Sequence, residues 1–210
     1  MVVMGNNGNE MSNYKKIIQL VLVGLSVVAW QAIFVVILAV VGQYTMLPGY
    51  VYVLFSLAAL LLPLTWCHIK FGKVDNLGSV KDAVKWSPIF VVFAFLVIWS
   101  RHSFVAPHFS LAYVTTSIVI LEIILGPVIE ETLFRGYILK MLTEEVGIYK
   151  AILLTAFLSV LVHVVTLKNL PFLVSVFVCS VIFSSSYAKG KLYTAIIVHI
   201  FVNFLVTIWV

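Results

Sequence analysis

The feature that most constrains this chain is a series of long apolar segments that follow one another with few residues between them. An α-helix of about 20 apolar residues crosses the hydrocarbon core of a bilayer. Only 10% of the residues are charged and 63% are hydrophobic, whereas roughly a quarter of the residues of a soluble domain are charged. Backbone amides in lipid must be paired within the protein, which favours helices when apolar runs are this long. We therefore predict an all-α, polytopic transmembrane helix bundle.

The apolar segments predict about seven spans. Their ranges are 17–41, 50–69, 84–100, 111–142, 148–167, 170–188 and 192–210. The third span is the weakest, since Trp86 and Pro88 crowd its predicted start. The fourth is too long for a simple span and contains Gly126 and Pro127. Because proline breaks the helical hydrogen-bond ladder, we predict a kinked helix there.

Three regions follow from this division of the chain. Residues 1–13 are polar and predict a disordered amino-terminal tail, with Met1 and Met11 as alternative starts. Residues 14–110 hold the first three helices and carry no specific pattern. Residues 111–210 hold the last four helices and the polar residues that suit a catalytic core.

The basic residues predict how the protein lies in the membrane. With a cytoplasmic amino terminus, ten lysines fall on the inner side and two basic residues on the outer side, a strong positive-inside bias. The inner set is Lys15, Lys16, Lys70, Lys73, Lys81, Lys85, Lys140, Lys150, Lys189 and Lys191, and the outer set is Arg101 and Lys168. We predict a multi-pass protein of the plasma membrane, and its short loops favour a bacterial origin. The net charge of +5 does not indicate nucleic-acid binding, because the basic residues sit at segment ends.

Six polar side chains lie within or beside these apolar segments. They are Glu130, Glu131, Arg135, His163, His199 and Asn203. An ionisable group at membrane depth costs at least ~2.5–3.5 kcal/mol, so such groups need partners or a purpose. Glu131 and Arg135 are four residues apart with the acid first, which is the order that favours an ion pair on a helix. Glu130 then faces about 100° away around the same helix.

The depth and chemistry of these groups predict hydrolysis. Counted along their helices from the cytoplasmic ends, they lie about 12–21 Å deep. A carboxylate near a histidine can deprotonate water, and a second histidine with an amide can stabilise the oxyanion that forms on a carbonyl. The chain has neither Gly-x-Ser-x-Gly nor His-Glu-x-x-His, which counts against serine hydrolases and common zinc proteases. A divalent metal such as zinc, held by Glu130, His163 and His199, remains an alternative.

In this order the motifs resemble those of the CPBP family of intramembrane proteases, which includes type II CAAX prenyl proteases and bacteriocin-processing or immunity proteins. The matching positions are Glu130, Glu131 and Arg135 for Glu-Glu-x-x-x-Arg, and His199 and Asn203 for His-x-x-x-Asn. The middle motif, Phe-x-x-x-His, keeps His163 but has Ser159 in place of the phenylalanine. The resemblance covers about residues 115–207.

The resemblance implies a helical membrane bundle with a cavity open to the cytosol and the bilayer. The roles that it implies are activation of water by Glu130 and His163, stabilisation of the oxyanion by His199 and Asn203, and support of the site by Glu131 and Arg135. The implied reaction is endopeptidase cleavage of a membrane-associated peptide or lipidated protein. The family leaves open whether the chemistry is glutamate-type or metal-dependent.

Two other functions remain open. One is a non-catalytic, bacteriocin-immunity-type membrane protein that binds or sequesters a peptide. The other is a transporter that uses the Glu/His cluster as a proton relay. Against the transporter, the sequence has no internal repeat and no matching pair of broken helices in its two halves. The expected partners are a membrane-associated peptide and the lipid bilayer.

Overall fold

Helices are the only regular structure in the part of the chain that the structure describes. The structure is a computed structural model that describes residues 49–102, 119–164 and 170–208, together with part of the segment 15–37. No strand occurs among these residues, which confirms the all-α class. The predicted tail 1–13 and parts of several predicted helices lie outside the described residues.

The helices are numbered here in chain order. They are α1 (Gly49–Phe71), α2 (Val80–His102), α3 (Gly126–Glu131), α4 (Lys140–Val146), α5 (Ile148–Val164) and α6 (Leu170–Ile208). The π-helical segments Val119–Leu125 and Thr132–Leu139 flank α3. Residues 119–146 therefore form one continuous helical run, which we call the motif helix. Helices α1 and α5 match the predicted spans 50–69 and 148–167 closely.

The start of α2 differs from the prediction. The helix begins at Val80 rather than at residue 84, so Trp86 and Pro88 lie inside it. Ser79 precedes the helix, and its hydroxyl accepts a hydrogen bond from the Asp82 amide at 3.1 Å and donates one to the Asp82 carboxylate at 2.7 Å. Such a side-chain cap satisfies amides that the first turn leaves unpaired. The cap therefore fixes the start of α2 upstream of the proline.

The winding of the motif helix changes where the kink is predicted. The backbone stays helical at Leu125 (φ −70°, ψ −38°), and Pro127 lies in the first turn of α3. The segment before it is π-helical, a form that appears mostly as single-turn bulges within α-helices. The structure thus gives a change from π to α winding at Gly126, and the kink itself stays a prediction.

Helix α6 folds back on itself at Lys191. The backbone there has φ 66° and ψ −165°, which is not helical. Phe183 and His199 lie eight residues on either side of this break, yet their rings stack with centroids 4.3 Å apart. Sixteen residues of straight helix would separate them by about 24 Å. The two parts of α6 are therefore antiparallel, and the break confirms the predicted boundary between the last two helices.

Two apolar clusters hold the helices together. One surrounds the motif helix, whose buried Leu133, Phe134 and Ile138 pack with residues of α1, α5 and α6. The other lies between α2 and α6 and contains Ala94 and Phe183. Lipid tails are as apolar as these side chains, so helices in a membrane associate through close packing. The packing in these clusters therefore sets how the motif helix, α5 and α6 face one another.

The described helices include two that are long and apolar enough to cross a membrane. They are Val80–Trp99 and Leu170–Ile208, and Leu57–Phe71 and Ile148–His163 are shorter apolar helices. Large apolar side chains remain exposed along α2, among them Val84 (69% exposed) and Val92 (57% exposed). A continuous apolar surface of this kind indicates contact with lipid or with another protein. The number of spans and their orientation stay predictions.

The loop between α1 and α2 docks on the turn at Lys191. The amides of Leu192 and Tyr193 donate to the carbonyls of Asn76 and Leu77 at 3.4 and 3.0 Å. On the same loop, Asp75 pairs with Lys140 at the start of α4. The hydrogen bond from Lys140 lowers the pKa of the exposed Asp75 carboxyl. These contacts bring several lysines of the predicted inner set to one end of the bundle.

Candidate active site

The four residues predicted to be catalytic line a single cavity together with the supporting Arg135. Glu130 reaches it from α3, His163 from α5, and His199 and Asn203 from the last part of α6. The cavity has a volume of about 140 Å³. Its remaining wall is mostly apolar, and includes Ile98, Phe172, Val176, Cys179, Val202 and Val206. The structure thus brings together every residue for which the sequence predicts a catalytic role.

The predicted ion pair between Glu131 and Arg135 is confirmed. The Arg135 Nη1 atom lies 3.1 Å from Glu131 Oε1, and the two side chains are 2% and 0% exposed. Removing one member of such a pair leaves a buried charge without its counterion, which costs about 3–5 kcal/mol. The pair therefore holds its own helix in a defined rotation, with Glu131 turned inward.

Glu131 also bonds His199, a contact that the sequence analysis missed. The His199 Nδ1 atom donates to Glu131 Oε1 at 2.7 Å. The ring of Phe183 stacks on the His199 imidazole with an interplanar angle of 19°. With Nδ1 as the donor, Nε2 accepts a proton in the neutral ring and becomes a donor in the imidazolium.

Three serines near the guanidinium of Arg135 were not singled out as site residues from the sequence. Two of them contact Arg135, and the third contacts one of those two. The Nε atom of Arg135 donates to Ser184 Oγ at 3.3 Å, and Nη2 donates to both the carbonyl (3.0 Å) and the hydroxyl (2.5 Å) of Ser180. Ser180 in turn donates to Ser159 Oγ at 3.0 Å. The only sequence signal was Ser159, which replaces the motif's phenylalanine. Serines between helices have no spacing that predicts which side chain they meet.

His163 is oriented by its own helix. Its Nδ1 atom donates to the Ser159 carbonyl at 2.8 Å, one turn earlier in α5. This contact selects the tautomer in which Nε2 is the basic nitrogen. Both cavity histidines therefore have Nδ1 engaged, one by a backbone carbonyl and the other by a carboxylate.

Asn203 binds the π-helical segment of the motif helix. Its Nδ2 atom donates to the Glu122 carbonyl at 2.8 Å. In π winding this carbonyl pairs with the amide five residues later, which here is Pro127 and has no N–H. Asn203 thus supplies the hydrogen bond that the proline cannot. Its amide nitrogen carries a second hydrogen, and the side chain lines the cavity.

The described residues do not form a metal-ligand set. Among them, no three His, Cys, Asp or Glu side chains lie close enough together to hold an ion. Glu130, His163 and His199 share a cavity without meeting that condition.

Residues 110–205 match the Rce1-like family, described as type II CAAX prenyl endopeptidases. The matched range contains all six polar residues singled out in the sequence. This result confirms the resemblance drawn from the three motifs. Comparisons with curated proteins and with solved structures found no match.

Proposed function

Since residues 110–205 carry a domain of the Rce1-like CAAX protease family, we propose that this protein is an intramembrane endopeptidase of the glutamate type. The observation that supports the proposal most directly is the single cavity shared by Glu130, His163, His199 and Asn203. A proton acceptor, a second basic group and two hydrogen-bond donors are the parts that water-dependent peptide cleavage needs.

The first step is activation of water by Glu130 and His163. The contact from His163 Nδ1 to the Ser159 carbonyl leaves Nε2 as the basic nitrogen of that ring. A water held between this nitrogen and the Glu130 carboxylate loses a proton as its oxygen attacks the substrate carbonyl. Glu130 holds this proton and gives it to the leaving amine when the carbon–nitrogen bond breaks.

The second part is stabilisation of the oxyanion by His199 and Asn203. With its Nδ1 bonded to Glu131, His199 donates to the oxyanion from Nε2 in the imidazolium form. Asn203 contributes its second amide hydrogen. Removing one oxyanion donor from a hydrolase costs about 10²–10³ in kcat. Glu131 and Arg135 support this half of the site by holding His199 in place.

The cavity wall supports an apolar, membrane-borne substrate. Beyond its polar groups, the wall is built from aliphatic and aromatic side chains of α2 and α6. We propose that a membrane-associated peptide or lipidated protein places its apolar part against these side chains. The same proposal includes about seven spans, a kinked motif helix, a cytoplasmic amino terminus, and a catalytic core within residues 111–210.

The test is a cleavage assay on purified protein in proteoliposomes, with fluorogenic lipidated and unlipidated peptides. We expect Glu130→Gln to lower kcat by at least about 10²-fold, because the amide cannot accept the proton from water. The matched control is Glu144→Gln, the same change at an exposed glutamate outside the cavity.

Three outcomes of this assay are informative. Equal cleavage by wild type and Glu130→Gln would contradict the role of Glu130. Peptide binding without product in any variant would support the immunity-type binder instead. Each reaction is repeated with a chelator, and loss of wild-type activity there would show that a metal takes part.

A further inference from the structure

A series of polar contacts, with one step through the backbone of Ser159, joins the two cavity histidines. It runs from His199 to Glu131 (2.7 Å), Arg135 (3.1 Å), Ser180 (2.5 Å) and Ser159 (3.0 Å), and from the Ser159 carbonyl to His163 (2.8 Å). The imidazoles lie on different helices, and this series connects those two helices.

The hydroxyl groups in this series all donate in one direction. Arg135 donates to Ser180, Ser180 to Ser159, and Ser159 to the Thr155 carbonyl at 3.0 Å. Hydrogen bonds aligned in this way polarise one another in a low-dielectric environment. Ser180 is 2% exposed and Ser159 is 5% exposed, so neither hydroxyl can exchange its protein partner for bulk water. Loss of one link therefore leaves buried polar groups unpaired.

Ser180 is the link at which three helices meet. It belongs to α6, accepts from Arg135 of the motif helix, and donates to Ser159 of α5. Among the contacts given above, it is the only one that connects the guanidinium to the helix of His163. Ser184, its neighbour one turn later, contacts Arg135 alone.

We propose that Ser180 is a positioning residue that couples His163 to the Glu131–Arg135–His199 group and so sets the separation of the two imidazoles. Its effect on catalysis rests on the proposed endopeptidase function, whereas the coupling itself requires no turnover. Ser159 and Ser180 connect α5 and α6. Ser159 stands where the Phe-x-x-x-His motif has its phenylalanine.

The coupling is tested by nitrogen NMR of the histidine rings in lipid nanodiscs. Signals of His163 are compared in wild type, Glu131→Gln, Ser180→Ala and the double variant. We expect Glu131→Gln to move the His163 ring signals, and Ser180→Ala to remove most of that response. An equal response with and without the Ser180 hydroxyl would overturn the proposal. If Glu131→Gln does not accumulate, Ser184→Ala is the milder change at the same guanidinium.

The kinetic test separates positioning from a general loss of structure. We expect Ser180→Ala to lower kcat about tenfold, the effect of losing a hydrogen bond to a charged group, with KM within about twofold. Ser180→Thr keeps the hydroxyl and is expected to stay within about threefold of wild type. The control is Ser185→Ala, since the hydroxyl of Ser185 donates to the Val181 carbonyl of its own helix.

The two measurements distinguish failure of the coupling from failure of the proposed function. Absence of cleavage by wild type would remove the proposed function, and the ring signals would still decide the coupling. A wild-type kcat in Ser180→Ala, or an equal loss in Ser185→Ala, would overturn the positioning role.

Discussion

At the scale of single residues, two adjacent glutamates have different surroundings because they lie on different faces of one helix. Glu131 is fully buried and bonds both Arg135 and His199. Glu130 is half-buried and lines the cavity. Glu131 is thus held by partners on two helices, whereas the Glu130 carboxyl group is open to the cavity. The same amide substitution should therefore change stability by different amounts at the two positions.

We predict that Glu131→Gln lowers the free energy of unfolding by about 3–5 kcal/mol, because Arg135 loses its buried counterion. Glu130→Gln should change it by less than about 1 kcal/mol, as expected away from buried networks. The measurement is equilibrium unfolding in mixed micelles, followed by circular dichroism. Similar losses of stability in the two variants would contradict this division between a structural and a catalytic carboxylate.

At the scale of helices, the Asn203 side chain binds the carbonyl of Glu122, five residues before Pro127. The proline removes one donor, and the Asn203 amide on another helix replaces it. The π-helical turn and α6 are thereby joined at the cavity. An alanine at position 127 would restore a backbone N–H and make this contact less important.

We predict that Asn203→Ala lowers the free energy of unfolding by about 1 kcal/mol, the net contribution of one hydrogen bond. In a Pro127→Ala background the same change should cost less than half as much. A double-mutant cycle of unfolding free energies measures the difference. Strictly additive effects would show that the proline and the asparagine act independently.

The sequence predicted the helices and the cavity residues far better than the contacts between them. Apolar length located α1, α5 and the turn at Lys191, and spacing along one helix predicted the Glu131–Arg135 pair. The sequence did not predict the Glu131–His199 bond or the serines near Arg135. Contacts between helices depend on how each helix is rotated about its axis, which the sequence pattern does not give. The sequence pattern also placed the start of α2 too late, since apolar length does not register a cap such as Ser79.

At the scale of the whole molecule, the loop between α1 and α2 closes one end of the bundle on the turn at Lys191. Gly78 in this loop has φ +81°, and a Cβ atom added there would lie 2.7 Å from the Cβ of Lys191. Gly72 has nearly the same φ, +80°, with nothing within 4 Å. A comparison of alanine substitutions at these two glycines therefore distinguishes the effect of the backbone conformation from the effect of close packing.

We predict that Gly78→Ala destabilises the protein clearly more than Gly72→Ala. Both variants place an alanine in the left-handed conformation, which destabilises the fold by roughly 1 kcal/mol. Only Gly78→Ala also brings a Cβ atom too close to the turn at Lys191. Limited proteolysis of the loop and thermal unfolding in detergent measure the effect. Equal behaviour of the two variants would mean that the loop does not depend on this close approach.

The pairing of Glu131 with Arg135 inside a single helix also bears on biosynthesis. The ribosome makes this helix before α5 and α6, so the serines and His199 are absent when it first meets lipid. Because acid and base are one turn apart, the guanidinium enters already neutralised by its neighbour. The later helices then pack against an ion pair that is already formed. Assembly of the bundle therefore does not require an unpaired Arg135 in the hydrocarbon core.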